Sequence, residues 1–367
     1  MLMSGINSFI LIIIYGALIL LSFLLIINPL KVNKKANLWF GVFLFLWSTF
    51  WLEEIFILTN FNILNDTPLI PLRLFQFLTP LVFYFSIEYY SNPDFKFKKK
   101  ELIYTILPLT FLIGLIIQDY DKHNTLIPSL LSALIIIQAL YFTIYSYIKI
   151  QHHKKSIRLF SSNTNEVDLK WIEYIIIAIF LLSIFIGIYN LVFDGEYLNL
   201  MANIVSILII FFVASNTLKQ KEIFLLNEKE RNLIIKTEQQ PTPKKRKIIS
   251  DENLALTKSK LIDVMENKKP YLDTELTLVS LAKLIEITPH QLSYVINVGF
   301  NENFFWFVNR YRVQRVKELL LNKDYNHISI LGIAYESGFN SKTSFNTTFK
   351  KISTQTPSEF KKTSSSL

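Results

Sequence analysis

The sequence predicts an all-α chain in two parts: a seven-helix transmembrane domain, then a cytoplasmic seven-helix domain of two helix-turn-helix units joined by a linker helix. Three observations predict it. Seven long apolar stretches fill residues 1–216. Capped patterns with helical period fill residues 251–367. Charge divides unevenly between them: Lys and Arg against Asp and Glu number 14 against 13 in residues 1–216, and 24 against 16 in residues 217–367. Nearly all of the net charge of +9 therefore lies in the second part, which implies two different solvents and an anionic partner for the C-terminal half.

The apolar stretches are 9–27, 38–59, 69–90, 102–118, 126–148, 171–193 and 197–216. A helix rises about 1.5 Å per residue, so about 20 residues cross the hydrocarbon core of a bilayer. Six stretches satisfy this comfortably. The fourth is short and carries Pro108, and charge parity decides it. Lys31, Lys34 and Lys35 follow the first stretch; Lys96, Lys98, Lys99 and Lys100 follow the third; Lys149, Lys154, Lys155, Arg158 and Lys170 lie between the fifth and sixth. The opposite loops hold only Lys122. Basic flanks stay cytoplasmic, so an even number of crossings must separate the second basic loop from the third. The fourth stretch is then a span, the N-terminus lies outside, and everything after Asn216 lies inside. No Lys or Arg precedes the first stretch and three Lys follow it, which argues against a cleaved signal peptide.

Ionisable groups inside spans are costly unless they pair or meet water. Glu53 and Glu54 on the second span and Arg73 on the third fall at similar depth, and an ion pair between them is feasible. Gln76, Asn190, Asn199 and Asn203 lie at the same level. Two readings fit: an outward-facing polar cavity that receives a signal, or a structural lock between helices. His152 and His153 are adjacent but lack further ligand spacing, and cysteine is absent, so neither a metal site nor any cofactor is expected.

Residues 217–250 join the parts. The stretch 218–236 alternates charge with apolar residues in an imperfect heptad that could pair with a second copy of the chain. The stretch 237–247 is polar with two prolines and reads as a tether ending in the basic run 244–247.

In the third segment, 251–367, Leu278, Leu281, Ala282 and Ile285 keep the i, i+3, i+4, i+7 spacing of one apolar helix face. Thr288-Pro289-His290-Gln291 then makes a capping box with proline at the first helical position. Leu292, Val295 and Ile296 point to the core, leaving His290, Gln291, Ser293, Tyr294 and Asn297 outward, able to meet base edges and phosphates. A linker helix without Pro or Gly spans 303–322. The pattern then repeats. Ile330, Ile333 and Ala334 face inward, Gly338 turns the chain, and Phe339, Phe345 and Phe349 plug the core. Ser341, Lys342, Thr343, Asn346, Thr347 and Lys350 remain outward. The two units, about 277–298 and 329–352, sit at opposite ends of a rod of about 30 Å, close to one turn of B-DNA. A further capped start, Thr356-Pro357-Ser358-Glu359, opens a closing helix.

Residues 253–362 resemble the AraC/XylS-type transcription regulators, through "KPYLDTELTLVSLAKLIEITPHQLSYVIN", "NFFWFVNRYRVQRVKELLL", "SILGIAYESGFNSKTSF" and "FKKISTQTPSEF". The resemblance implies specific binding to double-stranded promoter DNA through recognition helices at 289–298 and 341–351. The chain departs from that pattern at Thr347, where the family usually has Arg, at Thr354, where Gly is common, and at Val316, where Ala is frequent. The first departure bears on the affinity of the second unit, where an Arg contact to phosphate or base is replaced by Thr; residues 253–362 are also only mildly basic, which implies moderate affinity helped by dimers. The arrangement of spans before such a domain resembles that of some bacterial membrane regulators.

The expectation is therefore a one-component regulator in the cytoplasmic (inner) membrane of a bacterium. Its partners would be promoter DNA, the lipid bilayer, a second copy of the chain and a signal ligand of unknown chemistry. The alternative is a membrane receptor or transporter whose tail binds a protein. An enzyme is disfavoured, because the sequence has no phosphate-binding glycine loop, no paired His/carboxylate metal motif and no nucleophile elbow.

Overall fold

The computed structural model describes residues 2–59, 70–121, 123–164, 168–192, 197–219, 223 and 249–364. The described chain is all-helical, and it divides into two compact units: Met1–His152 with Leu169–Ile223, and His153–Asp168 with Phe224–Leu367.

The first unit holds α1 (Leu2–Ile27), α2 (Lys34–Ser48), α3 (Leu52–Leu58), α4 (Ile70–Ser91), α5 (Ile106–Tyr120), most of α6 (Leu126–Ile157), α7 (Lys170–Val192) and α8 (Tyr197–Lys219). Six helical segments among the described residues are long and apolar enough to cross a membrane, by length and composition. They are Gly5–Ile27, Lys34–Leu58, Ile70–Ser91, Lys99–Tyr120, Leu126–Ile157 and Leu200–Thr217. The expected sixth stretch lies in α7, whose side chains after residue 181 are outside the described residues.

Close packing and polar contacts join these helices. Gly41 shows the first: a Cβ there would lie 2.8 Å from Ile26 Cγ1 and 3.0 Å from the Ser22 carbonyl, so only a bare backbone lets α2 approach α1 this closely. Ser22 donates its hydroxyl to the Gly41 carbonyl at 2.8 Å across the same contact. Tyr90 on α4 donates to Asn37 Oδ1 on α2 at 2.6 Å. Buried Glu88 on α4 pairs with Lys149 on α6 at 2.9 Å and accepts from Tyr84.

The second unit begins with α9 (Asp251–Asn267) and continues through α10 (Leu278–Leu284), α11 (Pro289–Phe300), α12 (Phe304–Leu321), α13 (Ile330–Glu336), α14 (Lys342–Ser353) and α15 (Pro357–Ser364). Each boundary has a local cause. Ser250, Thr277, Thr288, Asn303, Ser329 and Ser341 are N-caps whose side-chain oxygens accept from backbone N–H groups that the helix itself leaves unpaired. The expected box at Thr288 is formed in full, with Gln291 reaching back to the Thr288 N–H at 3.0 Å.

Two cores lie along the linker helix α12. Leu278, Leu281, Ala282, Ile285, Leu292, Val295 and Ile296 pack with Phe304, Phe307 and Val308 from its first half. Ile333, Ala334, Phe339, Phe345 and Phe349 pack with Val313, Val316, Leu319 and Leu320 from its second half. At 18 residues α12 is about 27 Å long. Gly338 takes φ +90, and a Cβ there would lie 2.2 Å from the Tyr271 carbonyl oxygen, so the turn between α13 and α14 requires glycine twice over.

Residues 153–168, the end of α6 and the connection that follows it, belong to this second unit. Leu159 and Phe160 are buried in its first core. Ser161 forms an isolated antiparallel bridge with Thr277. The juxtamembrane stretch 218–236 and the tether 237–247 lie outside the described residues, apart from 218, 219 and 223.

Candidate nucleic-acid interface

Successive residues of a helix turn by about 100°, so Lys342, Thr343, Asn346, Thr347 and Lys350 share one side of α14 while Phe345, Thr348 and Phe349 share the other. The structure shows this division: the first five are exposed and the latter three buried. Ser341 is half-buried, and its hydroxyl accepts the Ser344 N–H at 3.2 Å as the N-cap, so it starts the helix as well as flanking the polar face. α14 therefore presents an open, polar, doubly cationic face.

α11 differs. Leu292, Val295 and Ile296 are fully buried, as their spacing requires. His290, Gln291 and Asn297 are half-buried. Gln291 Oε1 is held by the Thr288 hydroxyl and N–H at 3.0 Å each. Ser293 and Tyr294, expected to face outward, are only 5% and 4% exposed, and this corrects the reading of them as open contacts. Periodicity identifies the face turned away from the Leu292–Val295–Ile296 core; it does not report whether that face meets solvent. Burial also lowers the His290 pKa below the ordinary imidazole value of 6.5.

The sequence reading missed a buried polar centre where α12 meets the loop before α10. Arg312 is 1% exposed. Its Nε donates to the Tyr271 carbonyl at 2.7 Å and one terminal nitrogen donates to the Asp273 carbonyl at 2.7 Å. That nitrogen also reaches Ser162 Oγ at 3.0 Å. Burial lowers the Arg312 pKa to about 10 from 12.5, despite the nearby charges of Asp273 and Glu275. A signal was present in the sequence: Phe305, Asn309, Arg312, Val316 and Leu319 form one stripe at 3- and 4-residue spacing, which puts a cation on a core face.

The residues read as a sensing cluster are not gathered into one site. Arg73 and Gln76 line a cavity of about 340 Å³ with Phe50, Phe77, Phe111 and Gln118 among its walls. Glu53 and Glu54 are exposed, and among the described residues no ion pair joins either to Arg73. Asn203 sits elsewhere, accepting from Trp51 Nε1 at 2.9 Å and donating to Asn7 at 3.0 Å, a bond set that ties three helical segments together. The side chains of Asn190 and Asn199 are outside the described residues.

Residues 281–363 match the family model described as a helix-turn-helix domain, of the AraC type. No curated protein and no solved structure gives a significant match to the chain. The match supports a DNA-binding transcription regulator, and the matched family is a regulator domain rather than an enzyme family.

Proposed function

We propose that the chain is a membrane-embedded regulator that couples a signal in or outside the bilayer to the binding of specific promoter DNA. One observation carries most of this reading: the exposed polar face of α14, standing on a two-unit, linker-helix frame within a span that matches a helix-turn-helix family. Lys342 and Lys350 neutralise phosphates, and Thr343, Asn346 and Thr347 reach base edges in the major groove. His290, Gln291 and Asn297 give α11 a second, half-buried polar face, with Ser293 and Tyr294 closed in this structure. The apolar helices of the first unit and the basic loops between them support placement in the inner membrane, with the N-terminus outside and the DNA-binding unit in the cytoplasm. The cavity beside Arg73 and Gln76 is where a small anionic or polar signal would be received.

The test is binding of the full chain, in lipid nanodiscs, to duplex DNA selected from a random-sequence library. Affinity should fall linearly with salt on log–log axes with a slope of several ions, and Lys342→Ala or Lys350→Ala should each lower that slope by about 1. No binding at low salt would refute the DNA reading and favour a tail that binds protein. A topology reporter fused after Leu367 that came out periplasmic would refute the placement.

A further inference from the structure

The segment 158–163 does more than connect two apolar helices. Arg158 offers its carbonyl to the Phe305 N–H at 3.1 Å, and its guanidinium lies 5.6 Å from the Phe305 ring centre. The Phe160 carbonyl accepts the Leu278 N–H at 2.9 Å, and the Ser162 N–H donates to the Leu276 carbonyl at 3.2 Å. The Ser162 hydroxyl donates to that same carbonyl at 2.7 Å. The Ser162 carbonyl takes Asn309 Nδ2 at 3.0 Å and an Arg312 nitrogen at 3.3 Å.

Two features make this a docking contact rather than a chance crossing. First, Leu278 and Phe305 sit at the starts of α10 and α12, where backbone N–H groups have no partner within the helix. The segment supplies carbonyls to both, at the joint between the first helix-turn-helix unit and the linker helix. Second, Leu159, Phe160 and Ser162 are buried with it, so apolar anchoring and strand addition act together. Both ends of the segment continue into long apolar helices, α6 and α7.

We infer that residues 158–163 are a strap by which the membrane helices hold the first reading unit, and that the strapped chain is the weak-binding state. The direction is read from the company the strap keeps: the structure that holds these contacts is also the one in which Ser293 and Tyr294 of the first reading face are closed off. A movement of α6 against α7 would pull on the strap, and with it on the starts of α10 and α12. This inference rests on the DNA-binding reading above.

The chain has no cysteine, which makes the test clean. The Ser161↔Thr277 bridge is flanked by its hydrogen bonds on either side, the non-hydrogen-bonded antiparallel pair, in which Cα atoms are about 4.5 Å apart. Disulfides span about 4.4–6.8 Å. The full chain carrying Ser161→Cys and Thr277→Cys, in nanodiscs of phosphatidylethanolamine and phosphatidylglycerol, should oxidise to an intrachain disulfide. The pair Ser161→Cys with Ser358→Cys is the control. Oxidation no faster than the control, or between chains only, would overturn the strap. The oxidised chain should bind the selected duplex at least fivefold more weakly than the same chain reduced, the lower end of ordinary coupling between sites. Equal binding within twofold in both states would overturn the regulatory inference. A chain that oxidises as expected yet binds no duplex in either state would overturn the DNA reading while the docking stands.

Discussion

Replacing Arg312 by Met keeps the length and apolar stem of the side chain and removes its donors. Two backbone carbonyls, Tyr271 and Asp273, each lose a charged donor at 2.7 Å inside the fold. Hydrogen bonds to a charged group are worth about 1.5–3 kcal/mol each, so the pair amounts to roughly 3–6 kcal/mol; the Tyr271 carbonyl is left without its donor, while the Asp273 carbonyl keeps the Leu276 N–H at 3.3 Å. Against this, the variant no longer buries a charge. The lowering of the Arg312 pKa from 12.5 to about 10 puts the net penalty on that charge at about 3 kcal/mol. Net of that relief the loss comes to at most about 3 kcal/mol, and it stays unfavourable because the relief does not satisfy the Tyr271 carbonyl. We expect about 1–3 kcal/mol, which corresponds to an opening constant raised about five- to 150-fold. The assay is hydrogen exchange in the full chain, read on peptides covering residues 271–285 and 304–312. Arg312→Lys should fall between, because one ammonium reaches one carbonyl where the guanidinium fork reaches two. Exchange of Arg312→Met within threefold of the parent would refute the reasoning, and would mean that water reaches the two carbonyls.

Three further outcomes follow from the second unit. Thr354 closes α14 at φ 63, a conformation costly for a β-branched residue, so Thr354→Gly should stabilise the unit by about 0.5–1 kcal/mol after allowing for the looser unfolded chain; a lower midpoint in urea would contradict this. Gly338→Ala should cost more than about 3 kcal/mol, because strain at φ +90 adds to overlap with the Tyr271 carbonyl; soluble, fully folded protein at 37 °C with an unchanged urea midpoint would contradict it. His290 has its folded pKa lowered by burial, so the unfolded chain binds the proton first: its contribution is intact above the ordinary imidazole range and is lost as pH falls below about 6.5. Unfolding midpoints from pH 5 to 8 should show less of this acid slope in His290→Gln than in the parent.

Most of the second unit was legible because its rules are local. Thr288-Pro289-His290-Gln291 carries its own start signal, and the spacing of Leu278, Leu281, Ala282 and Ile285 names a buried face without reference to anything distant. The same logic placed Lys342, Thr343, Asn346, Thr347 and Lys350 on the outer side of α14. Tyr294 shows where local logic ends, since its angle on α11 is right and its exposure is not. The Glu53, Glu54 and Arg73 grouping failed for a related reason: equal depth along two helices does not make their faces meet.

The amino-acid order by itself determined where α11 and α14 begin and which sides of α10, α11 and α14 are apolar, because hydrogen-bond caps and 3.6-residue periodicity act over a few residues. Only the tertiary structure decided that Ser162, Asn309 and Arg312 share one buried site, and that a basic loop between two apolar helices supplies the carbonyls two distant helix starts lack. Those contacts join residues about 120 to 150 positions apart, and backbone groups make most of them. A carbonyl is common to every residue, so no side-chain pattern could announce which one would be used.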